Sequence, residues 1–320
     1  MKRVLAVVVI LLLTTSLVFA AGKKASGDGK KLVIFSQCNN AEPYRAAQNA
    51  SFQQLWSKYP EVQFEIMDAQ QDNSTQVSQI ETAIRRSPDL LIVAPNERAP
   101  LSDVMGKAKK AGIPVICLER DIVDPNNYDT WIMSDNYAIG KLAGEFIVQY
   151  LTKKNGSPRG NVVDMQGLLG VEGEMNRNKG AWDVMQAYPN IKQVARAEAK
   201  WLQSDARDRM TEILRVQPQI DVLYGHNDPM AIGAYLAAQE LGREKEMIFI
   251  GVDGLNGEAG GIKKVIDGVL AATFTYPLCT DKAVEIGYQM ITNPNFKPEK
   301  QYEVKSQMVT IENASQLYKP

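Results

Sequence analysis

From Lys31 onward, short runs rich in Leu, Ile, Val and Phe alternate with longer segments whose apolar positions recur at helical spacing, and polar turns join the two. That alternation predicts βαβ units and therefore parallel sheets. In the first half, strands are expected at 32–36, 62–67, 90–94 and 115–118, with helices between them at 45–58, 75–86 and 101–111. Reading these runs as strands of a parallel sheet carries the expectation that each is buried on both faces. After Trp131-Ile132-Met133 the cycle restarts, with a helix expected at 137–151 and strands at 162–165, 193–197, 222–224 and 247–252. The pattern predicts an α/β protein of two parallel-sheet lobes. Residues 153–160, rich in Gly, Lys and Pro, read as an exposed turn within the second lobe.

Ahead of this pattern, Val4 to Phe19 is apolar except for Thr14, Thr15 and Ser16, and it follows the basic pair Lys2-Arg3. This is the form of an export signal. The small residues Val18 and Ala20 place the expected cleavage after Ala20, with residues 21–30 as a flexible start. The competing reading is an uncleaved anchor, but the run is shorter than the roughly 20 residues that span a bilayer comfortably. No Cys follows the run to carry a lipid, so a periplasmic location is expected.

Composition narrows the possible partners. Without Lys2 and Arg3, 34 basic residues face 37 acidic ones, which gives no electrostatic reason to expect nucleic acid or an anionic membrane. A neutral small ligand fits better. Cys38, Cys117 and Cys279 are odd in number and far apart, which argues for buried free thiols rather than a disulfide framework. His226 is the single histidine, and no Cys or His pair has ligand spacing, so neither a metal nor another cofactor is expected.

Ligands of open parallel sheets bind beyond the carboxyl ends of the strands, so the residues there are the candidates. The first strand leads into Ser36 to Asn40 and then Pro43-Tyr44-Arg45, and the fourth ends in Glu119-Arg120-Asp121. Neither end carries the glycine-rich loop of a dinucleotide or P-loop site. In the second half the strand ends carry Gln166-Gly167, Trp201, Asn227-Asp228 and Asp253-Gly254, with Arg177 in the helix after the first of them. Asp228-Pro229 reads as a helix cap followed by Pro, which leaves Asn227 pointing outward. An amide, carboxylates and guanidinium forks together suit vicinal hydroxyls, and Tyr44, Trp201 and Tyr276 offer flat faces for the C–H side of a sugar ring. His226 reads as a satisfied structural residue, and no Ser, His and Asp set suggests a nucleophile.

On these residues the chain resembles the periplasmic sugar-binding proteins of the ribose-binding type, the substrate-binding components of ABC transporters. The ribose- and galactofuranose-binding members are the most similar. The matching stretches include Tyr44-Arg45-Ala46-Ala47, Gly112-Ile113-Pro114-Val115, Ser134-Asp135-Asn136, Arg177-Asn178-Lys179-Gly180, Asn227-Asp228-Pro229-Met230 and Gly251-Val252-Asp253-Gly254. The resemblance implies the type I fold, a pair of doubly wound parallel-sheet lobes joined by three hinge crossovers near Ser134, Tyr276 and Glu303. It divides the chain into residues 31–134 plus 277–303 and residues 135–276 plus 304–320. It also implies a monosaccharide held in the cleft by Asn40, Tyr44, Glu119, Arg120, Arg177, Trp201, Asn227, Asp253 and Tyr276, with Arg45 matching the galactofuranose-binding type. The expected protein is a non-enzymatic monomer that delivers its sugar to a membrane permease, and it leaves open a chemoreceptor as a further partner. Glu119 and Tyr276 depart from the ribose type, which favours a furanose, a pentose or a short polyol. Three rival readings are a regulator of the lactose-repressor family, a sugar-cleaving enzyme using Glu119 and Asp253, and the presentation of a furanose-like autoinducer to a receptor. An N-terminal export signal in place of a helix-turn-helix weighs against the first, and enclosure of a free sugar against the second.

Overall fold

The computed structural model describes residues 29–320; the expected export signal and most of the flexible start lie outside the described residues. The chain runs β1 (Lys31–Gln37), α1 (Pro43–Trp56), β2 (Val62–Asp68), α2 (Asn73–Arg86), β3 (Leu90–Val93), α3 (Arg98–Lys110), β4 (Val115–Leu118) and β5 (Thr130–Met133). It continues with α4 (Asn136–Asn155), β6 (Gly160–Gln166), α5 (Glu172–Met185), β7 (Ile191–Glu198), α6 (Gln203–Val216), β8 (Val222–Gly225), α7 (Asp228–Glu240) and β9 (Ile248–Ile250). It ends with α8 (Gly261–Ile266), β10 (Ala272–Phe274), α9 (Thr280–Thr292), β11 (Gln301–Glu303), β12 (Met308–Thr310) and α10 (Ala314–Leu317).

Two six-stranded sheets result, ordered β11-β5-β4-β3-β1-β2 and β12-β10-β9-β8-β6-β7. All pairs are parallel except β10 with β12. The chain crosses between the sheets three times, from β5 to α4, from β10 to α9 and from β11 to β12. In each sheet the strand order reverses beside the lobe's first strand, which opens a crevice at the strand carboxyl ends. The two crevices face each other.

Each sheet is covered on both faces by its own apolar layer. Ile34, Leu91 and Val93 pack under α2 and α3, whereas Val33, Phe35 and Ile92 pack under α1 and the returning helix α9. In the second lobe one face packs on α6 and α7 and the other on α4 and α5. The expectation of burial on both faces fails for β2, where Gln63 is exposed and Phe64 to Asp68 are only partly buried. β2 is an edge strand with a single neighbour, so one side of its pleat meets solvent. Helices α1 to α4 each begin one to three residues earlier than their apolar periodicity indicates, because they open on Pro43, Asn73, Arg98 and Asn136, residues outside the apolar stripe. The three-residue strands β10, β11 and β12 were not anticipated, since runs of that length carry no periodicity.

One packing detail bears on the site. A Cβ at Gly140 would stand 2.3 Å from the Arg177 carbonyl oxygen, and one at Gly180 would stand 2.2 Å from that of Tyr137. These glycines let α4 and α5 touch backbone to backbone, which fixes the base of the Arg177 side chain.

Candidate functional site

Nine of the ten expected residues line one cavity between the lobes. Tyr44, Arg45, Glu119 and Arg120 come from the first lobe, and Arg177 from α5, Trp201, Asn227 and Asp253 from the strand ends and Tyr276 from the second crossing of the other. Glu42 and Gly173 complete the lining. The cavity they leave is about 20 Å³, little more than one water molecule needs, so the lobes stand closed on it and a ligand must part them to enter.

Asn40 is the exception. Asn39 folds its Oδ1 back onto the amide of Ala41 at 3.0 Å, and this tight turn sends Asn40 outward, where its Oδ1 accepts from Asn49 at 3.0 Å. Two residues on, Glu42 enters the lining. It precedes the first turn of α1 in extended conformation and accepts from Asn39 Nδ2 at 2.7 Å. The register of this turn depends on side-chain bonding that spacing does not show.

The cap of α7 also differs from expectation. Asn227, not Asp228, has the extended backbone of a cap, and its Oδ1 accepts from Met230 N at 2.9 Å. Its Nδ2 donates to the Trp201 carbonyl at 3.0 Å, so Asn227 ties together two strand-end loops of the cavity wall rather than pointing freely outward. Asp228 lies one residue inside the helix, where its carboxylate accepts from Gly254 N at 2.8 Å and from Thr273 Oγ1 at 2.6 Å. It thereby holds the Asp253-Gly254 turn in place.

Three lining residues carry backbone strain. Glu119 (φ 63°), Trp201 (φ 71°) and Asp253 (φ 133°) all adopt left-handed conformations that non-glycine residues avoid, at a cost of about 1–3 kcal/mol each. Each sits at a strand end, where the left-handed turn throws the side chain into the crevice. Trp201 needs a second accommodation: a Cβ at Gly167 would stand 2.2 Å from its ring.

The cavity's charges and rings are arranged as a lattice. Arg45 donates to the Glu119 carboxylate. Arg120 Nη1 donates to the carbonyls of Asn96 at 2.9 Å and Pro95 at 3.3 Å. Its guanidinium carbon lies 5.8 Å from the Trp201 ring centroid, and that of Arg177 lies 5.6 Å from the same ring and 4.4 Å from the ring of Tyr276. Tyr44 and Tyr276 meet across the lobes with centroids 5.3 Å apart, and the Tyr44 hydroxyl donates to the Pro277 carbonyl at 2.9 Å. Burial, and next the neighbouring Asp228, raise the Asp253 carboxyl well above its ordinary value, against the pull of Arg177.

Within this lattice Arg45 Nε, Trp201 Nε1 and Asp253 Oδ2 are buried without a hydrogen-bond partner. Such groups are uncommon in folded proteins because each costs about 1–3 kcal/mol. Two donors and one acceptor in a single cavity are matched by a molecule that both donates and accepts. His226 is fully buried with Nε2 3.0 Å from Asp164 Oδ1, but its Nδ1 has no partner, so the histidine expected to be satisfied is only half so. Cys38, Cys117 and Cys279 are all buried free thiols.

Residues 33–294 match the model of the periplasmic binding protein domain. The chain belongs to that family. The galactofuranose-binding protein of Escherichia coli K12 is 30% identical to this periplasmic binding protein over 245 residues, 74% of either chain. The D-apiose import binding protein of Paraburkholderia graminis is 32% identical over 252 residues, 77% of either. A xylitol-binding protein of Mycolicibacterium smegmatis is 34% identical over 196 residues, which are 61% of this chain but only 54% of that protein. Among solved structures, the fructose-binding periplasmic domain of a hybrid two-component system superposes with a TM-score of 0.84 at 34% identity, covering 90% of this chain and 93% of that one. The two-lobe, three-crossing architecture of this periplasmic binding protein is the type I fold, and its family consists of periplasmic, solute-binding and non-catalytic proteins.

Proposed function

We propose that this protein captures a monosaccharide or short polyol between its lobes and delivers it to the permease of an ABC transporter, with a furanose ring favoured. The observation that carries the reading is the set of unpartnered buried atoms, Arg45 Nε, Trp201 Nε1 and Asp253 Oδ2, in one closed interlobe cavity. A sugar hydroxyl both donates and accepts, so vicinal hydroxyls satisfy donors and acceptor together. The rings of Tyr44, Trp201 and Tyr276 then meet the C–H faces. The ligand contacts in this reading are the nine expected residues that line the cavity, with Glu42 in place of Asn40.

The lobes hinge at the three crossings, with residues 31–134 and 277–303 moving against 135–276 and 304–320, and closure presents a joined rim to the permease. The chain acts as a monomer exported by a cleavable signal. The relatives support the ligand class through their own names, which specify galactofuranose, D-apiose and xylitol. One neighbour favours a second reading, because the fructose-binding domain belongs to a two-component system. In that reading the same closed form presents a bound furanose, an autoinducer included, to a receptor.

A thermal-shift panel of D-fructose, D-ribose, L-arabinose, D-apiose, galactofuranosides and xylitol, each at about 1 mM, tests the reading. A ligand bound with micromolar affinity adds roughly 4 kcal/mol and raises the melting temperature by several degrees. Silence across the panel rejects simple sugars and polyols.

A further inference from the structure

Behind the cavity wall lies a buried relay that the ligand reading does not use. Asn136 is the first residue of α4 and lies three residues past the end of β5, at the first crossing between the sheets. Its side chain is fully buried. Asn136 Oδ1 accepts from Arg177 Nε at 2.8 Å, while Nδ2 donates to Glu172 Oε2 at 2.7 Å and to the Tyr276 hydroxyl at 3.4 Å. The other oxygen of Glu172 accepts from Asn176 at 2.6 Å. Arg177 dictates the polarity, because a guanidinium can only donate and so takes the Asn136 oxygen, leaving the amide nitrogen for Glu172 and Tyr276. One amide therefore touches a side chain from α5 and another from the second crossing, and both of those line the cavity.

We propose that Asn136 is a positioning residue for ligand binding: it sets the guanidinium of Arg177 and the ring of Tyr276 against each other and ties both to the first crossing. Two of the three Arg177 nitrogens are committed, Nε to Asn136 and Nη1 to the His226 carbonyl, so the plane of the fork is fixed over the Tyr276 ring at 4.4 Å. The base of Arg177 is already fixed by the contact at Gly140. Only the direction of its head remains to be set, and Asn136 and the His226 carbonyl set it together, so the fork is aimed before a ligand arrives. The inference rests on the cavity being the ligand site.

A polarity swap tests it. At pH 8, above the value of about 7 to which burial pushes Glu172, Asn136→Asp keeps the acceptor for Arg177 but sets a carboxylate against Glu172, whereas adding Glu172→Gln restores a donor facing that carboxylate. Calorimetric titration with D-fructose, D-ribose, D-apiose and xylitol, alongside ligand-free melting, compares the wild type, each single variant and the double. We expect Asn136→Asp to weaken the responding sugar by about tenfold or more, and the double variant to return it to within about threefold of wild type. Glu172→Gln alone keeps a hydrogen-bonded pair and changes affinity little. If Asn136→Asp does not fold, the double variant still decides: binding within threefold upholds the relay. A folded Asn136→Asp that binds as wild type does, or a double variant that melts like wild type and stays as weak as the single, overturns the inference alone. A wild type that binds none of the probes overturns the ligand reading, and the inference falls with it.

Discussion

Arg120 and Trp201 belong to different lobes, and the guanidinium carbon of the first lies 5.8 Å from the indole centroid of the second. This is a contact that only the closed form can make. Arg120 is otherwise anchored to two backbone carbonyls of its own lobe, so it reaches across the cleft from a fixed base. Arg120→Ala is expected to reduce sugar affinity by about 2 kcal/mol or more, some thirtyfold, as read by calorimetry. Arg120→Lys should recover little, because an ammonium cannot bond the carbonyls and also lie flat on the indole.

Asp253 combines a left-handed backbone (φ 133°), a buried carboxylate and an unpartnered oxygen. All three are costs to the fold that ligand binding would justify. Asp253→Gly relieves the strain and removes the buried acid. The ligand-free melting temperature is expected to hold or rise while the sugar-induced shift disappears. A fall in stability with binding intact would contradict this.

Gly167→Ala places a methyl group 2.2 Å from the Trp201 ring. The indole must swing away, so sugar affinity should fall by about tenfold or more, although the substitution lies at a strand end and adds one carbon. Titration of this variant beside Trp201→Ala should show similar losses.

Burial pushes the Glu172 carboxyl up to about 7, against the hydrogen bonds from Asn176 and Asn136. The unfolded chain releases that proton near the ordinary glutamate value, roughly 4.3. Between these two pH values the folded state binds more protons, so stability falls as pH rises through the window and is highest at its acid end. The contribution is of order 3 kcal/mol. Asp228 and Asp253 are shifted in the same direction, chiefly by burial, and add to the slope. Denaturant melts at pH 5 and pH 8 should show the wild type more stable at pH 5, with about that share of the difference removed in Glu172→Gln.

Much of this molecule was legible in its apolar pattern. Runs such as Leu90–Val93 and Val115–Leu118 are buried on both faces, so their composition alone declares them. The edge strand β2 was legible as a strand but not in its exposure, which its place at the sheet edge decides, and the three-residue strands β10 to β12 were not legible, because pairing with a neighbour rather than composition makes them strands. Strand-end position and family resemblance located nine of the lining residues. Asn40 failed and Glu42 was missed because a single side-chain bond from Asn39 to the backbone sets the register of their turn. The exchange of roles between Asn227 and Asp228 has a similar origin: both can cap, and the partners Met230, Gly254 and Thr273 decide between them. The Asn136 relay depends on residues 36, 41 and 140 positions apart, which no local pattern reveals.

The central claim, that a sugar is held in the cavity between the lobes, is tested most directly by calorimetric titration of the wild type and Asp253→Ala with the strongest responder of the sugar panel. The account predicts one ligand per chain with micromolar or tighter affinity in the wild type, and at least a thirtyfold loss, about 2 kcal/mol, in a variant that still folds. Equal affinity in the two proteins would place the ligand elsewhere and contradict it.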